Sequence, residues 1–156
     1  MSLVIHYEHA VRDAEIARIA RVIALRAMLT EGHSQASVAQ RYGVTQPAIS
    51  YQVAKKRTKG VRPSDLLEAG GAVLRQVAGD RGFRRLGVFG SVARGEDRPD
   101  SDVDFIVEAP ENADLSGLLH LEEALGAVLG RDVDLVTYGG LDPELDRDIL
   151  NDATLV

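Results

Sequence analysis

The chain of 156 residues contains no cysteine, which excludes disulfide bonds, thiolate metal sites and a cysteine nucleophile. It also lacks any stretch approaching the ~18–20 apolar residues of a membrane-spanning helix. The apolar run near the start, Leu3-Val4-Ile5, is too short for a signal peptide. Hydrophobic residues make up 45% of the chain, enough to build a core. We therefore expect a folded, cytoplasmic protein with no membrane partner.

Charge is divided unevenly along the sequence. Residues 1–62 carry 10 Lys/Arg and 4 Asp/Glu, a net charge of +6, whereas residues 63–156 carry 8 and 20, a net charge of −12. Such asymmetry indicates two modules with different partners. The basic module suits a polyanion, and the acidic surface of the other would repel nucleic acid.

A short linker is expected between the two modules, over residues 58–64. It contains Gly60 and Pro63, which interrupt regular structure. We therefore predict an N-terminal domain over residues 1–60 and a second domain over residues 61–156.

The stretch Leu86 to Glu108 reads LGVFGSVARGEDRPDSDVDFIVE, and we interpret it as a strand, a turn, a short helix, a loop and a second strand. The first strand ends at Gly90-Ser91, where glycine allows close approach to a phosphate and the serine can cap the helix. Asp102 and Asp104 share one face of the second strand. Two carboxylates on an otherwise apolar strand are costly to bury, and a divalent cation would balance both charges.

This pattern resembles the nucleotidyltransferase superfamily typified by DNA polymerase β, and within it the minimal nucleotidyltransferases. The family signature is Gly-Ser, ten residues and then Asp-x-Asp. Gly90-Ser91 and Asp102-Val103-Asp104 match it. The family also has a third carboxylate on a later strand, and Asp134, between two apolar residues, occupies that place. A longer form of the signature is matched by Ala93, Arg94, Gly95 and Ser101.

The resemblance implies an enzyme that transfers a nucleotide from ATP, with two Mg²⁺ ions sharing carboxylate ligands. The implied catalytic and metal-binding residues are Asp102, Asp104 and Asp134. The implied phosphate-binding residues are Gly90, Ser91 and Arg94. For Arg94, the alternative is an ion pair with Asp97 or Asp100.

The acceptor of the nucleotide is expected on another chain, because only 21 residues follow Leu135 and relatives that modify small molecules or nucleic acid carry extra domains. In the minimal family the usual partner is a HEPN-domain ribonuclease toxin, to which the transferase, as antitoxin, adds AMP at a tyrosine. The resemblance thus implies a homodimer or a hetero-oligomer with such a toxin. The alternatives are a regulator that only senses nucleotide, an antitoxin that caps its toxin sterically, and a small-molecule adenylyltransferase.

The segment SQASVAQRYGVTQPAISYQVAKK, residues 34–56, resembles the helix-turn-helix of bacterial transcription regulators. It has Ala39 at the tight contact between helices, Gly43 in the turn and Thr45 as cap of the second helix, with Pro47 in its first turn. The resemblance implies binding to operator DNA by a dimer that reads two half-sites. The alternative is a three-helix bundle whose basic face contacts protein. The implied base-contacting residues are Gln46, Ser50 and Tyr51, and the implied phosphate contacts are Lys55, Lys56, Arg57 and Lys59.

The predicted fold class is α+β, with an N-terminal three-helix helix-turn-helix domain followed by a small mixed-sheet nucleotidyltransferase domain. Two expectations depend on local signals: Ser64 should cap a helix that bends or breaks at Gly70-Gly71, and Pro143 should open the last helix. The predicted helices of the N-terminal part are 8–30, 35–41 and one from Thr45 into 55–57. The predicted strands are 83–89, 102–107, 132–137 and an edge strand at 154–156.

Overall fold

The computed structural model describes residues 2–156 and shows the mixed α and β architecture expected from the sequence. The helices are α1 (Leu3–Thr30), α2 (Gln35–Tyr42), α3 (Gln46–Val53), α4 (Pro63–Gly79), α5 (Gly90–Ala93), α6 (Leu115–Leu129) and α7 (Arg147–Asp152). The strands are β1 (Arg84–Phe89), β2 (Val103–Glu108), β3 (Val133–Thr137) and β4 (Thr154–Leu155). Short 3₁₀ turns occur at Lys55–Arg57 and Tyr138–Gly140.

The four strands form one mixed sheet in the order β3-β2-β1-β4. β1 is antiparallel to β2 and β4, whereas β2 and β3 are parallel. A parallel pair needs a crossover connection, which α6 provides. Val103, Phe105 and Val107 of β2 are fully buried in the core that the sheet shares with α4 and α6. The alternate positions of β2, which include Asp104, therefore lie on the opposite face of the sheet.

The second half of α1 packs into this same core. Ile19, Ile23 and Ala27 are buried together with residues of α4, α6 and the sheet. The hydrophobic core is therefore continuous across residue 60, after which the sequence predicts a domain boundary. The division into two domains stays a prediction. As a result, α1 fixes the N-terminal helices against the sheet.

The bend predicted at Gly70-Gly71 is wrong, because α4 is one continuous helix. A Cβ atom on Gly70 would lie 2.6 Å from Cδ1 of Ile23, and one on Gly71 would lie 3.3 Å from Cγ1 of Val156. Glycine inside a helix costs about 1 kcal/mol relative to alanine. Here that cost is offset by the close packing of α1 on α4, which a side chain at position 70 would prevent.

Two predicted caps are also wrong. α4 begins at Pro63, so Ser64 lies inside the helix, and its backbone N–H donates to the Asp97 carboxylate at 2.9 Å. α5 begins at Gly90, and no side chain caps it, so Ser91 is its second residue and not its cap.

The other differences concern where helices begin and end. α1 begins at Leu3, earlier than predicted, with Ser2 accepting a hydrogen bond from the Ile5 N–H. α3 ends at Val53, and the basic residues after it form a separate 3₁₀ turn. The last helix begins at Arg147, because the preceding residues form a turn around the Asp142 carboxylate.

α2 and α3 pack with α1 around a second, smaller core. The buried residues are Leu25, Val38, Ala39 and Ile49. The predicted caps of α2 and α3 are confirmed: Ser34 accepts from the Ser37 N–H and Thr45 accepts from the Ala48 N–H. The turn between the two helices depends on Gly43, whose φ of +66° favours glycine. The assignment of this unit as a DNA-binding helix-turn-helix stays a prediction.

None of the helices within residues 2–156 is long and apolar enough to cross a lipid bilayer.

Candidate active site

Asp104 and Asp134 are direct neighbours in the sheet. Their Cα atoms are partners in the parallel ladder between β2 and β3, and in such a ladder paired side chains point to the same face. On the other side of β2, Asp104 is paired with Phe89, the last residue of β1. The structure therefore brings together the two carboxylates that the sequence pattern placed 30 residues apart.

Gly90 follows Phe89 and makes the turn beside these carboxylates. Its φ is +74°, and a Cβ atom there would lie 2.5 Å from Oδ2 of Asp104. Only glycine combines that backbone conformation with so close an approach. Ser91, the next residue, is half-buried. The predicted phosphate-binding turn thus lies directly against the predicted metal ligand.

The pKa of Asp104 is raised above its ordinary value. Burial is the largest cause, and the negative charges of Asp134 and Asp102 add to it. A cluster of like charges of this kind is stabilised by a proton or a cation. Such perturbed groups are frequent at functional sites.

Asp102 lies at the edge of this cluster, just before β2 begins, and is exposed. Its negative charge helps to raise the pKa of Asp104 and also acts on Arg131, whose pKa is lowered mainly by burial. Asp102 is therefore near enough to influence both Asp104 and Arg131.

Arg94 forms ion pairs that were not predicted. Its Nη1 lies 2.8 Å from Asp152 and its Nε lies 3.1 Å from Glu96, so pairing with Asp97 or Asp100 is wrong. Its positive charge still favours the ionised form of Asp104, which places it near the carboxylates.

Asp97, one of the partners predicted for Arg94, has a fully buried carboxylate. It accepts hydrogen bonds from the Ser64 N–H at 2.9 Å and from Arg62 at 3.2 Å. Burial alone would raise the pKa of Asp97, but these interactions outweigh it and the pKa is lowered. Asp97 thus ties the loop before β2 to the start of α4.

Within the described residues 2–156, no three His, Asp or Glu side chains lie close enough to hold a metal ion by themselves. Asp104 and Asp134, with Asp102 nearby, nevertheless fit part of a Mg²⁺ site. Mg²⁺ is usually bound by one or two carboxylates and takes its other ligands from phosphates and water. Burial and the neighbouring carboxylates raise the pKa of Asp104, and a bound cation would stabilise its ionised form.

The predicted DNA contacts lie on α3 and on the turn that follows it. Those on α3, Gln46, Ser50 and Tyr51, are exposed, as are Lys55 and Lys56. Arg57 is half-buried. The Tyr51 ring lies against two cations, with Nζ of Lys56 at 5.3 Å and Cζ of Arg57 at 4.8 Å from its centroid. Interactions with the neighbouring basic residues therefore hold the Tyr51 side chain.

Sequence reasoning missed two arginines that connect the N-terminal helices to the sheet. Arg26, only 4% exposed, donates to the carbonyls of Val53 and Ala54 and to the hydroxyl of Thr58. The other, Arg131, donates to four backbone carbonyls, those of Thr58, Val61, Pro99 and Ser101. No sequence signal could reveal these contacts, because almost all of the acceptors are backbone carbonyls, which every residue has.

Comparison with known proteins gives consistent results. The profile of the family described as nucleotidyltransferase domain matches residues 75–156. A protein of Thermococcus cleftensis named protein adenylyltransferase MntA is 43% identical over 75 residues, which cover 48% of this chain and 76% of that protein. A Methanocaldococcus jannaschii protein, provisionally named a protein adenylyltransferase, is 43% identical over 72 residues, covering 46% and 77% respectively. A solved structure described as a minimal nucleotidyltransferase superimposes with a TM-score of 0.54 at 38% identity, covering 60% of this chain and 95% of its own.

Proposed function

The chain belongs to the nucleotidyltransferase domain family, and on that premise we propose that it is a Mg²⁺-dependent protein adenylyltransferase that uses ATP. The observation that carries the proposal is the pairing of Asp104 with Asp134 directly beside Gly90. The names of the relatives support AMP as the group transferred and protein as the acceptor.

The reaction forms a bond between an acceptor hydroxyl and the α-phosphorus and breaks the bond from that phosphorus to the bridging oxygen. The hydroxyl proton goes to a carboxylate, for which the exposed Asp134 is the best placed. Pyrophosphate leaves with the electron pair. Asp102 and Asp104 would hold Mg²⁺, and the ion would supply the positive charge that neutralises the phosphates. Gly90 admits the phosphates to the carboxylates, and the Ser91 hydroxyl and Arg94 contact them.

The acceptor is a tyrosine of a HEPN-type toxin, and the protein acts as the antitoxin. Asp102 and Asp134 are both exposed, so a side chain of a second protein can reach them. A tyrosine hydroxyl has a pKa of about 10 and needs a neighbouring base to become a good nucleophile. Asp134 provides one.

The test is transfer of label from α-labelled ATP to proteins of a lysate that contains the toxin, with Mg²⁺ present. Asp104→Asn should abolish the labelled band. Asp80→Asn is the matched control, because it makes the same change at an exposed residue after α4. A lysate without any labelled protein, or a band that persists in Asp104→Asn, would contradict the proposal.

We further propose that a dimer of the N-terminal helices binds operator DNA. The net charge of +6 on residues 1–62 and the exposure of Gln46, Ser50 and Tyr51 support this. Binding to the upstream region of its own gene should weaken steeply with salt, because phosphate contacts release counterions. Gln46→Ala should lower the preference for that region over random DNA. Equal affinity for both DNAs in the unaltered protein would contradict the proposal.

A second candidate is a regulator that only senses nucleotide, or an antitoxin that caps its toxin sterically. The observation in its favour is that no three metal-ligating side chains converge within the described chain. A sensing regulator would change its operator affinity when nucleotide binds, without turnover, and a steric antitoxin would still neutralise the toxin as Asp104→Asn. An adenylyltransferase would lose that ability with its activity.

A further inference from the structure

The first half of α1 stands largely free of the rest of the protein. Every residue from 3 to 15 is exposed, which corresponds to about 20 Å of helix. The ion pairs nearest its start are those that Arg12 forms with Asp65 and Glu68, near the beginning of α4. Tyr7 is nevertheless 72% exposed and Val11 52% exposed, so this segment presents large apolar side chains to solvent.

These apolar side chains form a stripe on one face of α1. At 3.6 residues per turn, the stripe lies nearly opposite the face that Ile19, Ile23 and Ala27 bury in the main core. Its members recur with the heptad spacing typical of a helix that packs along a second helix. They are Val4, Tyr7, Val11 and Ala14, and the same spacing continues through Arg18, Arg21, Leu25 and Met28.

The second half of this stripe borders an open cavity of about 380 Å³. Arg21, Leu25 and Met28 form the wall on α1, and the opposite wall includes Tyr42 and Val44, both of which are exposed. One end of the stripe thus has large apolar side chains that lack a pocket, and the other end has an apolar pocket that is open. The two ends are complementary to each other.

We propose that two copies of the chain associate through this stripe, with their α1 helices antiparallel and Tyr7 of each copy in the cavity of the other. The proposal deepens the proposed binding of DNA by a dimer, because it names the surface that forms the dimer. Such an interface is isologous and uses the same residues on both copies. The facing pairs are Val4 with Met28, Tyr7 with Leu25, Val11 with Arg21 and Ala14 with Arg18, which sets the two-fold axis beside residue 16.

The charges favour the antiparallel direction. In a parallel pair each residue of the stripe would face its own copy, so Arg18 and Arg21 would both meet a like charge. In the antiparallel pair these arginines face small, uncharged side chains. Arg18 forms an ion pair with Glu15 at 2.6 Å, and beside the axis Glu15 of one copy comes to the level of Arg18 of the other. Four charges of alternating sign therefore flank the axis.

The pairing also sets the separation of the two copies of α3. Ile49 of α3 packs with Leu25, which lies nine residues from the axis, so these two contacts are about 27 Å apart along the helices. The sideways displacement of α3 from α1 increases the separation further. The dimer therefore suits two half-sites one DNA turn apart, about 34–36 Å.

The first test measures association of the full chain by sedimentation equilibrium at pH 8, without DNA, ATP or acceptor. Tyr7→Glu should weaken the dimer at least ~100-fold, because the symmetric interface contains the buried charge twice. His9→Glu adds the same charge at an exposed residue on the other face of the same segment, and should change the dissociation constant less than about threefold. Tyr7 belongs to neither hydrophobic core, so Tyr7→Glu should keep its helix content, which circular dichroism checks.

The second test measures the direction of the two helices by cross-linking. The chain has no cysteine, so an introduced thiol is the only one that can react. In the antiparallel dimer Ala14→Cys places the two thiols about 6 Å apart along the helices, and a short bismaleimide should join the chains. Val4→Cys should give no cross-link, because its two copies lie about 36 Å apart. A parallel pair would give both cross-links.

Three results would overturn the proposal: an unaltered chain that is monomeric at about 100 µM, equal weakening by the two glutamate variants, or cross-linking of Val4→Cys. A monomer would assign the stripe to a different protein. Neither measurement depends on DNA binding or AMP transfer, so failure of the proposed function and failure of this inference are distinguishable.

Discussion

Positive charge is buried at Arg26, at the joint between the N-terminal helices and the sheet. Negative charge is partly buried at Asp104, in the candidate site at the end of the sheet, and the groups that surround the two charges differ. Arg26 at the joint is surrounded by acceptors, chiefly backbone carbonyls. Asp104 at the site is instead surrounded by two further carboxylates. Oxygen atoms of the chain itself accept the hydrogen bonds of Arg26, and these bonds stabilise the fold. The charge of the site is left for a ligand, which is how binding sites differ from structural ion networks.

The largest expected effect separates function from stability at the site. Asp104→Asn should lower AMP transfer at least ~10³-fold, since it removes a group that acts in the transition state. The same change should leave the melting temperature equal or higher, because it removes repulsion between carboxylates. Label transfer and thermal unfolding of the same preparation check this. A loss of activity accompanied by unfolding would make Asp104 a structural residue.

The opposite behaviour is expected at the joint. Arg26→Ala should lower the free energy of unfolding by about 3 kcal/mol, since it leaves buried carbonyls without a donor. Arg21→Ala, at an exposed position on the same helix, should change it by less than about 0.5 kcal/mol. Urea unfolding measures both variants. Equal midpoints would mean that water replaces the arginine at no cost and that the joint is not a structural centre.

A smaller effect tests how tightly Arg26 is held. Gly130 and Gly95 both have φ of +71°, so alanine is strained at either position. A Cβ on Gly130 would lie 2.8 Å from Nη1 of Arg26, whereas one on Gly95 would meet nothing within 4 Å. Gly95→Ala should cost about 1 kcal/mol, and Gly130→Ala about 1 kcal/mol more. Equal losses in urea unfolding would show that the arginine moves aside freely.

The smallest effect compares two carboxylates whose pKa values move in opposite directions. The pKa of Asp97 is lowered, so this residue contributes stability above the ordinary aspartate pKa of about 4 and loses it as pH falls through the folded pKa. The pKa of Asp104 is raised, so its ionised form destabilises the fold; this penalty begins to fall as pH drops through the raised pKa and is gone below about 4. At pH 7, Asp97→Asn should lower the melting temperature and Asp104→Asn should raise it. As pH falls, the Asp104→Asn difference should shrink before about pH 4 is reached, and the Asp97→Asn difference should shrink only below about pH 4. Differences of the same sign at pH 7 would contradict the assignment.

The carboxylate site could be predicted because its information is local. The spacing of Gly90 and Asp104 follows from one strand, one turn and a second strand, and the alternation of side chains along β2 sets the face. The ion pairs could not be predicted in the same way. Arg94 has a long side chain, and the partner it reaches, Asp152, lies 58 residues further along the chain.

The glycines of α4 show the same limit for the fold. Helix propensity counts the local cost of Gly70 but contains no information about Ile23, the residue that occupies the space of the absent side chain. The continuous core was missed for a related reason. A helix was predicted over residues 8–30, but the surface that it covers is formed by segments far along the sequence.

The shared core of α1 determines how the protein folds during synthesis. Arg26 donates to the carbonyl of Val128, which is 102 residues further along the chain. At ~5–20 residues per second, α6 emerges at least several seconds after Ile19 and Ile23, and until then the part of their core that α6 provides is absent. The nascent N-terminal segment therefore presents an uncovered apolar face, and this interval is where binding by a chaperone, or loss to aggregation, would act on the chain.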